Sequence, residues 1–146
     1  MKKIYPEKTL VLYTDGACRG NPGEGGAGIV LTDLEDNIVL EEKLYLGDCT
    51  NNQAEYRALI LGLEEAKILK PSKLIIKADS ELLVRQIQGI YKVKNEGLQP
   101  LYLKVMKLLK GFRSLKIEHI PRERNKKADK LANLAIDKKE AVGESR

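Results

Sequence analysis

Cysteine is scarce in this chain. Cys18 and Cys49 are the only two, and they lack the spacing of a zinc cluster. The expectation is a pair of free thiols in a reducing compartment rather than a bridge. Long apolar runs are missing as well, since none approaches the roughly 18 residues that a transmembrane helix needs. The opening MKKIYPEK has no apolar stretch behind its lysines, so a secretory signal is not expected and a cytoplasmic location is. Internal repeats and low-complexity linkers are absent too. What is present is a globular balance of 42% hydrophobic and 32% charged residues, which argues against disorder and against a membrane protein. The 146 residues suit a single domain, 1–146, with a core over about 9–139 and a frayed tail, EAVGESR.

The net charge of +5 conceals an asymmetry. Residues 91–139 hold 14 Lys or Arg against 5 Asp or Glu, whereas the remainder holds 12 against 16. The segment KVMKLLKGFRSLK reads equally as a solvated helix surface or as a polyanion contact, and a nucleic-acid footprint is favoured only once the acids of the other half are included.

Hydrophobic periodicity and turn residues give an element order of βββαβααβα. Thr9 to Thr14 reads as a strand running into Asp15-Gly16. Residues 18–26, CRGNPGEGG, read as a flexible loop, with a second strand opening at GAGIVLTD and a third over Ile38 to Leu46. Thr50 and Gln53 form a capping-box pattern that opens a helix to about Leu69, before Pro71. Leu74 to Ala78 is a fourth strand ending in Asp79-Ser80, followed by a short helix over Glu81 to Gln88. A helix over about Gln99 to Lys110, a fifth strand over Leu115 to Ile120, and a last helix to about Lys138 with Asn125 as its cap complete the pattern. The fold class is α/β, a mixed five-stranded sheet with helices on both faces.

Four carboxylates have unusual neighbours: Asp15 in YTDGACRGNPG, Glu55 in TNNQAEYRAL, Asp79 in IIKADSELLV and Asp129 in PRERNKKADKLANLA. Each lies at the end of an apolar strand or on the apolar side of a helix, where an unpaired charge is costly. A crossover helix can bring the fourth strand beside the first in parallel and so place Asp15 next to Asp79. Two such charges at about 4 Å repel by about 4 kcal/mol at an effective dielectric of about 20, which invites a divalent cation. Taken singly, Asp15 and Asp79 read better as turn formers, and Glu55 and Asp129 as helix N-terminal acids; it is the four together in these motif contexts that favour a site. The glycine-rich segment lacks the lysine-serine ending of a phosphate-binding P-loop. Arg122 and Glu123 could pair and shape the chain before Asp129.

The motifs TDGAC-x-GNPG, TNN-x-AE, ADSELLV and RE-x-N-x-x-AD-x-LA, in that order over residues 9–139, resemble type 1 ribonuclease H, the family that cuts the RNA strand of RNA–DNA hybrids. The resemblance implies a ribonuclease H-like fold and makes Asp15, Glu55, Asp79 and Asp129 metal-coordinating catalytic acids. It also implies hydrolysis with two Mg²⁺ ions, Mn²⁺ being a substitute, to leave 5′-phosphate and 3′-hydroxyl ends. The positions of Cys18, Asn21, Asn51 and Asn52 correspond to minor-groove contacts, several near RNA 2′-hydroxyls, and Thr50 to a DNA-phosphate contact. Glu81 stands where many members carry glutamine and is left out of the substrate set.

Two departures matter. The tryptophan- and lysine-rich protrusion of some members is replaced by the short QGIYKVKNEGLQPLYLK, where Lys92 and Lys94 are candidate phosphate contacts. The histidine of a mobile loop in many members has only His119 as a counterpart, ten residues before Asp129 but in the strand KIEHI, and its auxiliary role is open. The expected partner is an RNA–DNA hybrid bound by a monomer with no obligatory protein partner and no membrane. The alternatives are a non-catalytic hybrid- or RNA-binding module, a nuclease for double-stranded RNA, and a recombinase-like DNA enzyme; the 2′-hydroxyl motif argues against the last.

Overall fold

Parallel pairing of the first and fourth strands organises the molecule as expected. The structure is a computed structural model that describes residues 4–139; the frayed tail expected over 140–146 lies outside them. Strands β1 (Thr9–Gly20), β2 (Gly23–Thr32), β3 (Ile38–Cys49), β4 (Lys73–Ala78) and β5 (Leu115–His119) form one sheet in the order β3-β2-β1-β4-β5. The first three make an antiparallel meander, and β4 and β5 join parallel to β1. The helices are α1 (Asn51–Leu69), α2 (Glu81–Ile87), α3 (Gln99–Leu109) and α4 (Lys126–Asp137), with a single 3₁₀ turn at Arg122–Arg124. None of the described helices is long and apolar enough to cross a membrane.

The α1 start is set by local chemistry. Thr50 Oγ1 accepts the Gln53 N–H at 3.2 Å, and Gln53 Oε1 accepts the Thr50 N–H at 2.9 Å, a complete capping box. At the other end Lys70 takes the left-handed conformation and Pro71 stops the helix. Alternation along the strands sends Leu10, Leu12, Ile29 and Leu31 to the face covered by α1, where they meet Leu59, Leu63, Leu83 and Val84. Tyr56, buried between α1 and α2, donates its hydroxyl to Gln86 Oε1 at 2.6 Å, and burial pushes its phenol pKa up. Tyr56→Phe is expected to lower stability by about 1–2 kcal/mol by leaving the buried Gln86 oxygen without that donor. Calorimetric unfolding checks it, and an unchanged melting temperature would count against this hydrogen bond.

The glycine-rich segment is not the flexible loop its composition suggests. β1 continues to Gly20 and β2 starts at Gly23, with Cys18 opposite Gly25 and Gly20 opposite Gly23, so only Asn21 and a cis Pro22 form the turn. The glycines serve close packing instead. A Cβ on Gly26 would collide with the Ala132 carbonyl, one on Gly28 with the Ala128 carbonyl, and one on Gly25 with Cys49 Sγ. The backbone of α4 therefore rests directly on β2, on the face opposite α1.

Candidate active site

The β1–β4 ladder ends at the pair Thr14 and Ala78, so Asp15 and Asp79 are the first residues beyond it on adjacent strands. Asp15 is not at a strand end, as expected from the sequence, because β1 runs on in its hairpin with β2; it is at the end of the parallel pairing, which gives the same juxtaposition. Glu55 arrives from the first turns of α1. Gly16 allows this, since a Cβ there would overlap the α1 backbone at Ala54 and Glu55, and its N–H donates to Glu55 Oε1 at 2.8 Å. Carboxylate oxygens of Asp15, Glu55 and Asp79 come within 4.8 Å of one another.

The fourth acid, Asp129 on α4, lines the same cleft of about 450 Å³. Asn133, one turn further on, donates Nδ2 to the Asp129 carbonyl at 3.0 Å and to Oδ1 at 3.3 Å. Arg122 Nη2 stands 4.0 Å from the same Oδ1. The sequence pairing of Arg122 with Glu123 is thus replaced by one with Asp129, since the 3₁₀ turn places Arg122 at the cleft.

Electrostatics mark this as a site short of positive charge. Burial, then Glu55 and Asp79, push the Asp15 carboxyl from 3.8 up to about 9. Glu55 rises from 4.5 to about 8, chiefly through burial, with the Gly16 N–H opposing and Asp79 adding to the rise. Ionising carboxyls this close together requires a counter-charge, and an all-carboxylate donor set suits a hard, oxygen-seeking divalent cation. The residues present therefore fit the cation that the fold family implies.

Cys18, Asn51 and Asn52 line the cleft beside the acids, as do Ser80 and Asn133. Asn21, in the β1–β2 turn, accepts the Asn51 N–H on Oδ1 at 3.1 Å and so ties the turn to the start of α1. Thr50 adjoins them, its hydroxyl engaged in the cap. Cys18 and Cys49 are free thiols, and Cys18 Sγ donates to the Cys49 carbonyl at 3.0 Å. Lys92 and Lys94 lie on the short connection between α2 and α3, exposed and away from the cleft lining; Lys92 borders a separate depression with Tyr91, Val93 and Tyr102. His119 ends β5 opposite Ala78 and is exposed, outside the cleft lining. Sequence reasoning passed over Ser80 and Asn133. The spacing of four between Asp129 and Asn133 would have revealed the latter, because it puts both on one helix face.

Asn125 differs most from its expected role. It stands at the N-cap of α4, but its side chain makes no cap hydrogen bond. Nδ2 donates instead to the Thr14 carbonyl at 2.8 Å and to Asp79 Oδ2 at 3.1 Å.

A mixed sheet of this order, with acids gathered where the parallel ladder ends, defines a ribonuclease H-like domain. The family described as Reverse transcriptase-like matches residues 13–135. The Bifunctional protein Rv2228c of Mycobacterium tuberculosis is 43% identical over 129 residues, covering 88% of this chain and 35% of that protein. Ribonuclease HI of Halobacterium salinarum is 41% identical over 125 residues, 86% of this chain and 63% of that one. The chain thus spans about a third of the first relative's length and under two thirds of the second's. The crystal structure of LC11-RNase H1 in complex with an RNA/DNA hybrid superposes with a TM-score of 0.85 at 43% identity, covering 88% of this chain and 97% of that one. The chain belongs to the ribonuclease H family. Its α2–α3 connection has no room for a basic protrusion, with only residues 88–98 between the two helices.

Proposed function

We propose that the protein is an endoribonuclease that hydrolyses the RNA strand of RNA–DNA hybrids and leaves 5′-phosphate and 3′-hydroxyl ends. The observation that carries this reading is the group of three carboxylates within 4.8 Å beside Asn51 and Asn52 in one cleft. Its relationship to a solved protein bound to an RNA/DNA hybrid supports the substrate. Asp15, Glu55, Asp79 and Asp129 would hold two Mg²⁺ ions, with Mn²⁺ as a substitute. The chemistry such ions supply when bound is activation of the attacking water and charge stabilisation at the departing 3′ oxygen. Asn21, Asn51, Asn52 and Cys18 present donors and acceptors suited to 2′-hydroxyls in a minor groove, and Thr50 stands beside them for a phosphate of the DNA strand. His119, exposed at the end of β5, would at most assist from outside the cleft. We read the protein as a cytoplasmic monomer with no obligatory protein partner.

Labelled RNA–DNA hybrid, RNA duplex, DNA duplex and single-stranded RNA, each incubated with Mg²⁺, test the reading. Selective cutting of the hybrid is expected. A folded protein that binds hybrid and yields no product would be a binding module instead. Lys92 and Lys94 carry a separate prediction. Replacing both by Gln should weaken hybrid affinity alike for all sequences and flatten the log–log salt dependence by about 0.9 per lost phosphate contact. Fluorescence anisotropy over a salt series measures this, and an unchanged slope would return the two lysines to solvated surface.

A further inference from the structure

Asn125 joins the three elements that carry Asp15, Asp79 and Asp129. The residue is 2% exposed. Nδ2 reaches the Thr14 carbonyl, one residue before Asp15, and an oxygen of Asp79. Its own carbonyl accepts the Asp129 N–H at 3.1 Å. Both side-chain partners are acceptors only, so the amide orientation is dictated by its surroundings; turned the other way, Oδ1 would face a carbonyl and a carboxylate. The arrangement forgoes two local gains. The α4 N-terminus goes without a side-chain cap from one of the best capping residues, and Asn125 Oδ1 is buried with no hydrogen-bond partner. Such breaches of local consistency concentrate at functional sites.

We propose that Asn125 is a positioning residue of the cation site, fixing the Asp79 carboxylate and setting α4 in register with β1. The inference rests on the reading of the four acids as a cation site. A neutral donor suits the task. It orients one Asp79 oxygen through a hydrogen bond without the positive charge of a lysine or arginine, which would compete with a bound cation.

Two variants separate positioning from capping. Asn125→Ser can cap α4 but is too short to reach Asp79, whereas Asn125→Ala does neither. The first readout needs no substrate: the Mg²⁺ concentration giving half of the metal-induced rise in melting temperature. Both variants are expected to need about tenfold more Mg²⁺, as when outer partners of metal ligands are removed. On hybrid at saturating Mg²⁺, kcat is expected to fall about tenfold while KM stays within about twofold, again the scale of lost outer-shell support. In EDTA, Asn125→Ser, which can cap α4 but leaves the buried Thr14 carbonyl without its donor, should melt below the unaltered protein, and Asn125→Ala lower still. A Ser variant with unaltered Mg²⁺ response and kcat would overturn the proposal, as would an unaltered protein whose melting does not respond to Mg²⁺. If the unaltered protein responds to Mg²⁺ but cuts no hybrid, the ribonuclease reading fails, and the Mg²⁺ half-points of the variants still decide the role of Asn125.

Discussion

Asp15→Asn is expected to bind RNA–DNA hybrid and cut it on the order of 10³-fold more slowly than the unaltered protein. That is the factor corresponding to several kcal/mol of lost charge stabilisation. Asn matches Asp in shape, so the substitution removes charge from the most buried of the four acids, 5% exposed, without disturbing the packing. Single-turnover cleavage measures the effect, and a variant that cuts at the full rate would remove Asp15 from the site. Stability is expected to move the opposite way. The folded Asp15 carboxyl titrates near 9 against an ordinary 3.8, so below about pH 4 folded and unfolded chains carry the same proton. As pH rises toward 9 the unfolded chain has released a proton that the folded one retains, and stability is lost. Metal-free protein should therefore be less stable at pH 8 than at pH 5. Asn, which never ionises, should recover about 1–3 kcal/mol at pH 8 in EDTA. A lower melting temperature for Asp15→Asn than for the unaltered protein in EDTA at pH 8 would contradict this account of the charge.

Gly28→Val should be among the most damaging substitutions outside the acids. A Cβ at Gly28 meets the Ala128 carbonyl, the Ala132 nitrogen and the Leu131 Cβ, so α4 cannot remain on β2 unless it lifts. Overpacking against helix backbone, with no flexible side chain to yield, puts the expected loss at about 3 kcal/mol or more. Whatever folded protein remains should also lose cleavage, because the displaced helix carries Asp129. Gly47→Ala is the fitting control. Gly47 has φ of +73 with nothing within 4 Å of a Cβ, so only backbone strain enters, about 1 kcal/mol. Urea unfolding ranks the two, and equal losses would mean that the close approach of α4 is not what Gly28 provides.

These contrasts show which parts of the molecule were legible in the sequence. The capping box at Thr50 and Gln53 was, because both partners lie within four residues and the chemistry is local. So was the meeting of Asp15 and Asp79, because a helical crossover in a parallel sheet leaves few alternatives. The run of glycines was misread as flexible because what each glycine admits, the α4 backbone or Cys49 Sγ, comes from distant sequence. Asn125 looked like a cap for a similar reason. Its partners lie 46 and 111 residues away, and no local pattern reports them. Arg122 was assigned the nearest opposite charge along the chain, whereas the 3₁₀ turn faces it toward Asp129.

The dispersal of the acids over β1, α1, β4 and α4 also bears on how the protein is made. A chain emerging from the ribosome N-terminus first can assemble the meander and α1, then add β4, yet it holds three acids at most until α4 is released. Before that helix settles on Gly26 and Gly28, Asp79 has no Asn125 to orient it and the cleft has no Asp129 wall. The completed cleft therefore exists only once α4 has docked on β2, and a nascent chain that has not yet released that helix does not possess one.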